Sequence, residues 1–207
     1  VGVTIYGSIG SRASRCLWTA EETGIAFDWL PISTLDGSNK SSEYLAINPS
    51  GKIPAMKDGD IVLTESFAIS QYLAECYGAG TIWPATPQLR GLVHQWSYWS
   101  ATEIEPFITQ LFPHFVSLPP EQRDAAKIAR MVPDMLAALA LIEAALGDQD
   151  YVLGDFSLAD ISLAVQTFTI VDRFKLSLAG LPAVERWTAR CRERPGRQRV
   201  EARVKQG

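Results

Sequence analysis

The sequence predicts a chain in two parts, a small α/β domain followed by an all-helical domain. Three observations carry that expectation. Short β-rich runs are confined to the residues before Glu65. A proline-bearing segment, Trp83-Pro84-Ala85-Thr86-Pro87, follows them. Beyond it β signals vanish and long patterns of helical period take over. At 207 residues the chain is long for one domain and comfortable for two small ones.

The elements follow in order. Val3-Thr4-Ile5-Tyr6 reads as a strand ended by Gly7. Ser11 precedes a helix from about Arg12 to Thr23, closed by Gly24, with Ala13, Leu17 and Ala20 on its apolar side and Arg15 and Glu22 pointing elsewhere. Ala26–Leu30 is a second strand, ended by Pro31, and Ser42–Ile47 a short helix. Pro54–Lys57 and Ile61–Leu63 flank Asp58-Gly59-Asp60, a hairpin signal. Glu65–Tyr77 is a helix with Ile69, Tyr72, Leu73 and Cys76 on one face. The expected domains are 1–79 and 88–207, joined by a linker at 80–87. Helices are expected at about Gln88–Val116, Glu121–Gly147, Leu158–Phe174 and Ala183–Glu193, and Pro133 should kink the second or start a new one.

Composition excludes several classes. Hydrophobic residues make up 47% and charged residues 20%, so global disorder is excluded. No apolar run approaches a membrane span, and the first residues have no basic start and no long apolar stretch, so neither membrane insertion nor a secretory signal is expected. The net charge of −4 disfavours nucleic acid. The charge is uneven, with eight basic to three acidic side chains from Glu185 to Gly207; the expectation is a solvated helical end near acidic surface. Three scattered cysteines and two histidines, His94 and His114, offer no metal-ligand spacing, and the protein is expected to be metal-free and cytoplasmic.

Three local signals bear on chemistry. The turn Gly7-Ser8-Ile9-Gly10-Ser11 brings small residues and a serine to a helix N-terminus, where free N–H groups favour an anion or Ser11 simply caps. Asn48-Pro49-Ser50-Gly51-Lys52-Ile53-Pro54 places a proline at a strand start, a candidate cis bond that would leave the Ile53 backbone free to pair with a peptide-like ligand. Thr64-Glu65-Ser66 opens a helix with a carboxylate suited to an amine and a hydroxyl and N–H suited to a carboxylate, or with two caps.

Taken in order, these pieces resemble the cytosolic glutathione S-transferase family over essentially the whole chain. The resemblance rests on Asn48–Pro54, on Glu65-Ser66-Phe67-Ala68-Ile69, on Gly154-Asp155-Phe156-Ser157-Leu158-Ala159-Asp160 and on Leu181–Trp187 with Arg194-Pro195. It implies a thioredoxin-like N-terminal domain and an all-helical C-terminal domain. Where thioredoxin-type proteins carry two thiols, the first turn here holds Ser11 and Ser14, so the reactive sulfur must arrive with the ligand. The expected activity is that of a glutathione transferase in detoxification, with glutathione as co-substrate and a small, partly apolar electrophile.

The spacing from Tyr6 to Ser11 to Arg15 resembles the serine-type, theta-like and related bacterial classes and implies Ser11 as the hydroxyl that stabilises the thiolate. Tyr6 is the rival, and Ser8 and Ser14 are weaker ones. The family resemblance further implies the Ile53 backbone and Pro54 against the cysteinyl residue, Glu65 and Ser66 at the γ-glutamyl end, and Lys52 and Lys40 at the glycine carboxylate. Tyr98, Trp99 and Thr102 are candidates for the electrophile pocket. Ser157 and Asp160 read as a structural capping box. A homodimer is implied as well. A glutathione-dependent peroxidase or disulfide reductase on the same scaffold is an alternative, as is a non-catalytic glutathione-binding protein. A maleylacetoacetate isomerase fits less well, because its Ser-Ser-Cys turn is missing.

Overall fold

The computed structural model describes residues 2–204, without the side chain of Val204; Val1 and residues 205–207, including Lys205 of the basic stretch, lie outside them. The chain divides into two compact units, one running to Ala85 and resuming at Arg194, the other spanning Thr86–Glu193. In this division the described chain from Arg194 onward groups with the first unit, inside the span of 88–207 expected for the helical domain. No helix among the described residues is long and apolar enough to cross a membrane.

The first unit is built on a four-stranded sheet, with strands β1 (Val3–Tyr6), β2 (Phe27–Leu30), β3 (Ala55–Asp58) and β4 (Ile61–Thr64) in the order β2-β1-β3-β4. β1 and β2 are parallel, as a strand–helix–strand crossover requires, and the other pairs are antiparallel. The register opposes Tyr6 to Leu30 and to Ala55, and Ala55 to Thr64. One edge of the sheet thus gathers the turn after β1, the loop before β3 and the residue after β4.

Helices α1 (Ala13–Thr23) and α3 (Ser66–Tyr77) pack together beside this sheet, and α2 (Ser42–Leu45) lies in the connection before β3. Gly24 ends α1 in a left-handed conformation that suits glycine. The last helix of the chain, Pro195–Val204, packs on the other side of α1. Two side chains of α1 depart from the sequence expectation. Arg15 is fully buried, its guanidinium turned to the start of α3, and the Glu22 side chain is nearly buried where the terminal segment bonds it through Arg194. The basic stretch is likewise no simple solvated end. Arg199 and Arg203 donate to the buried Glu21 carboxylate, and Arg194 bonds Glu22 at 2.6 Å. In α3 the buried face is Ile69, Ser70, Leu73 and Ala74, while Cys76, expected with them, is exposed.

The second unit is helical: α4 (Pro87–Trp99), α5 (Glu105–Phe112), α6 (Ala125–Leu146), α7 (Leu158–Phe168) and α8 (Pro182–Glu193), which leaves the terminal helix as α9. The single helix expected over 88–116 is interrupted by wider π-helical turns at Ser100–Ile104 and Pro113–Ser117. Pro106 and Pro113 supply a reason, since neither has an N–H to continue the regular ladder. By contrast, α6 runs on through Pro133 without a new start.

Candidate active site

The turn after β1 is shaped by two glycines. Gly7 has φ 143°, and a Cβ there would lie 2.7 Å from the Ala13 Cβ and 3.5 Å from Ile53 Cβ and Pro54 Cα. Only a residue without a side chain lets β1, α1 and the loop before β3 meet so closely. The turn is braced from behind by the Trp29 indole, which donates to the Gly7 carbonyl at 2.7 Å. Gly10, at φ 90°, donates its N–H to Ser14 Oγ at 2.9 Å, so Ser14 is buried and committed to the loop.

Ser11 is half-buried at the first turn of α1. Its hydroxyl donates to the Ser8 carbonyl at 2.6 Å and accepts the Ala13 N–H at 3.1 Å. It accepts and donates at once, just ahead of α1: the bond it accepts strengthens the one it gives. Tyr6, the rival, ends β1, is half-buried and lies with its ring 6.2 Å from that of Tyr44. Cys16, the α1 residue that follows Arg15, is buried, and burial pushes its thiol up to about 12, so it stays protonated.

The bond between Ile53 and Pro54 is cis. Ile53 precedes Ala55, the first residue of β3, and so stands outside the strand ladder. The loop that presents it is fixed by Asn48 of the motif and by Tyr44 and Asn39, which the sequence reading did not single out. The Lys52 carbonyl accepts both Tyr44 Oη at 2.6 Å and Asn48 Nδ2 at 2.7 Å. Buried Asn39 holds the Gly51 carbonyl at 2.7 Å. Gly51 has φ 63°, and a Cβ there would meet Lys40 Nζ at 2.5 Å. Lys40 Nζ itself lies 3.5 Å from the Ser50 carbonyl, and the Lys40 and Lys52 side chains are exposed.

At the same edge Glu65 takes a positive φ of 68°, rare for a residue with a side chain. Such a conformation costs on the order of 1–3 kcal/mol and persists where surrounding structure holds it. Glu65 is exposed and its carboxylate makes no capping bond to α3, which removes the capping alternative for this residue. Ser66 follows, nearly buried, with its hydroxyl accepting Arg15 Nη1 at 2.6 Å. Ser11, Ile53, Pro54, Glu65 and Ser66 are therefore gathered at one edge of one sheet. Beside them, the N-termini of two helices present N–H groups suited to anionic parts of a ligand.

The remaining candidates belong to the second unit. Tyr98 is 59% exposed, Trp99 is half-buried with its ring 5.4 Å from Trp96, and exposed Thr102 donates to the Tyr98 carbonyl at 3.1 Å. Ser157 and Asp160 form the capping box of α7, the Asp160 carboxylate accepting the Ser157 N–H at 2.9 Å. The same carboxylate also accepts the Val152 N–H at 3.1 Å and Trp187 Nε1 at 2.9 Å, partners too distant in sequence to be read as part of a cap. Burial raises Asp160 to about 6, against the lowering effect of these donors.

A sheet of this order followed by a helical second unit matches the architecture of glutathione S-transferase structures. The family models agree: residues 1–75 match the "Glutathione S-transferase, N-terminal domain" and residues 101–195 the "Glutathione S-transferase, C-terminal domain". Glutathione S-transferase GstB of Escherichia coli K12 is 29% identical over 202 residues, covering 96% of this chain and 97% of GstB. Glutathione S-transferase F10 of Arabidopsis thaliana is 35% identical over 165 residues, 77% of each chain. Among solved structures, the theta class glutathione S-transferase of Xanthomonas axonopodis pv. citri with glutathione bound superposes with a TM-score of 0.89 at 34% identity, covering 96% of both chains. The chain belongs to the glutathione S-transferase family and is a glutathione S-transferase enzyme with a thioredoxin-like N-terminal domain.

Proposed function

We propose that this transferase uses the Ser11 hydroxyl to hold bound glutathione as its thiolate, which attacks a small, partly apolar electrophile. The observation that carries the reading is the Ser11 hydroxyl itself. It is polarised by the Ala13 N–H, and its proton rests on a replaceable backbone carbonyl at the head of α1. Swinging that proton from the Ser8 carbonyl to a thiolate exchanges a neutral hydrogen bond of ~0.5–1.5 kcal/mol for a charge-assisted one of ~1.5–3 kcal/mol. The helix N-terminus adds ~0.3–1 kcal/mol. Lowering a thiol pKa of ~8.5 by about two units needs roughly 2.7 kcal/mol, which these contributions can supply together. Serine only donates and never has to ionise.

The rest of the tripeptide follows the same edge. The Ile53 backbone, beside Pro54, meets the cysteinyl amide. The exposed Glu65 carboxylate takes the γ-glutamyl amine, and Ser66 with the first N–H groups of α3 takes its carboxylate. Lys52 and Lys40 serve the glycine carboxylate. The electrophile's apolar contacts are assigned to Tyr98, Trp99 and Thr102. The first unit is thus the glutathione-binding one and the second supplies the electrophile's contacts. A homodimer and a cytoplasmic, detoxifying role accord with the family, and three cysteines outside any disulfide suit a reducing compartment.

Calorimetric titration with glutathione, followed by turnover of a chloronitroaromatic, tests the reading. Binding by the wild type, loss of kcat in Ser11→Ala and near-normal kcat in Tyr6→Phe are expected. Abolished activity in Tyr6→Phe with an active Ser11→Ala would reverse the assignment.

A further inference from the structure

Arg15 has no part in the steps assigned so far, yet it is an always-ionised side chain wholly removed from solvent. Such burial is costly unless strong contacts offset it. Two such contacts of its guanidinium fall on the first two residues of α3. Nη1 donates to Ser66 Oγ at 2.6 Å, and the guanidinium lies over the Phe67 ring at 3.6 Å from its centroid. The next residue of α1, Cys16, bonds the Ser66 carbonyl at 3.5 Å. Helix α1 therefore grips Ser66 by its hydroxyl and its carbonyl together.

The direction of the first bond matters. Arginine carries donors and no acceptor, so Ser66 Oγ can only accept from it. A hydroxyl whose lone pair is engaged in this way keeps its proton for another partner, and no described residue accepts it. We infer that Arg15 is a positioning residue that fixes Ser66 as a donor toward the γ-glutamyl carboxylate and so sets the preference for a ligand carrying that group; this rests on the glutathione reading above. Ser11 lies four residues before Arg15, at the head of the same helix. One rigid element thereby spaces the group that meets the sulfur from the group that meets the far carboxylate.

The test compares glutathione with 4-aminobutyryl-cysteinylglycine, the same tripeptide without the γ-glutamyl α-carboxylate. Affinities come from calorimetry, and KM and kcat from turnover, for wild type, Arg15→Met, Arg15→Lys, Ser66→Ala and the double variants. The preference for glutathione should fall about tenfold or more in Arg15→Met and in Ser66→Ala, the scale of one charge-assisted hydrogen bond. Arg15→Lys should regain part of it, the Arg15→Met/Ser66→Ala double variant should fall no further than the worse single one, and KM should rise far more than kcat falls. If Arg15→Met does not fold, Arg15→Lys carries the comparison: its smaller loss should vanish in the Ser66→Ala background. Arg15 variants that keep the wild-type preference, or that weaken both ligands equally, overturn the inference. A preference that Ser66→Ala leaves untouched overturns the glutathione reading at this end, and the inference with it.

Discussion

Ser11 and Ser157 both stand at helix N-termini, and their surroundings make them different. Ser157, at the head of α7, is nearly buried; it donates to the Asp160 carboxylate at 3.3 Å, and its own N–H is held by the same group. That carboxylate is bonded in turn by Val152 and Trp187. Ser11, at the head of α1, is half-buried and gives its proton to one backbone carbonyl of a glycine-shaped turn. A serine closed in by charged and buried partners is a fastener. One whose donor rests on an exchangeable neutral acceptor is available for chemistry. The residue type is the same; the replaceability of its partner is what differs.

The largest effect expected from this contrast is structural. Asp160→Ala would strand the Val152 N–H, the Ser157 N–H and the Trp187 indole N–H. At ~1–3 kcal/mol per buried unsatisfied group, a loss of about 3–5 kcal/mol in urea unfolding is expected, beyond the ~0.5–2 kcal/mol of a simple cap. A loss under about 1 kcal/mol would erase the distinction. Ser11→Ala should do the reverse, with stability reduced by no more than about 1 kcal/mol and kcat/KM lowered roughly a hundredfold. Glu21→Gln sharpens the contrast from another side. Glu21 anchors α9 to the back of α1 through Arg199 and Arg203, both partly exposed, so about 1–2 kcal/mol is expected to be lost, with the intrinsic turnover of folded enzyme little changed.

A smaller effect should appear as a pH trend. Burial raises Asp160 from 3.8 to about 6, so between these values the folded state holds a proton that the unfolded state releases. The wild type's advantage over Asp160→Asn should be greatest below about pH 4 and shrink as pH rises through about 6. An advantage that grows over this range would show that the four donors dominate. Smallest of all is Tyr6→Phe, expected to change kcat/KM by less than about twofold, since the Tyr6 hydroxyl has no assigned part in the chemistry.

Much of this was legible in the sequence because it is written locally. The Ser11 turn, the Asn48–Pro54 loop and Glu65-Ser66 each compress their requirements into a few adjacent residues, and the sheet register then aligns them. What was illegible depends on distant chain. Periodicity turned Arg15 and Glu22 away from the apolar stripe of α1, but Arg15 meets the start of α3, about 50 residues later, and Glu22 meets Arg194, more than 170 residues later. The same return of the chain groups Arg194 and the residues after it with the first unit, which periodicity alone does not show. Trp187 and Val152 reach Asp160 only through the fold, so the cap was visible and its larger network was not. The π-helical turns could have been anticipated, since Pro106 and Pro113 lie in plain view within the expected helix.

The most direct measurement is the titration of the thiolate ultraviolet absorbance of glutathione bound to the wild type and to Ser11→Ala. In the wild type the bound thiol should ionise about two units below the ~8.5 of a free thiol, and in Ser11→Ala the midpoint should move back toward that value. An unchanged midpoint in Ser11→Ala would show that the thiolate is stabilised by some other group.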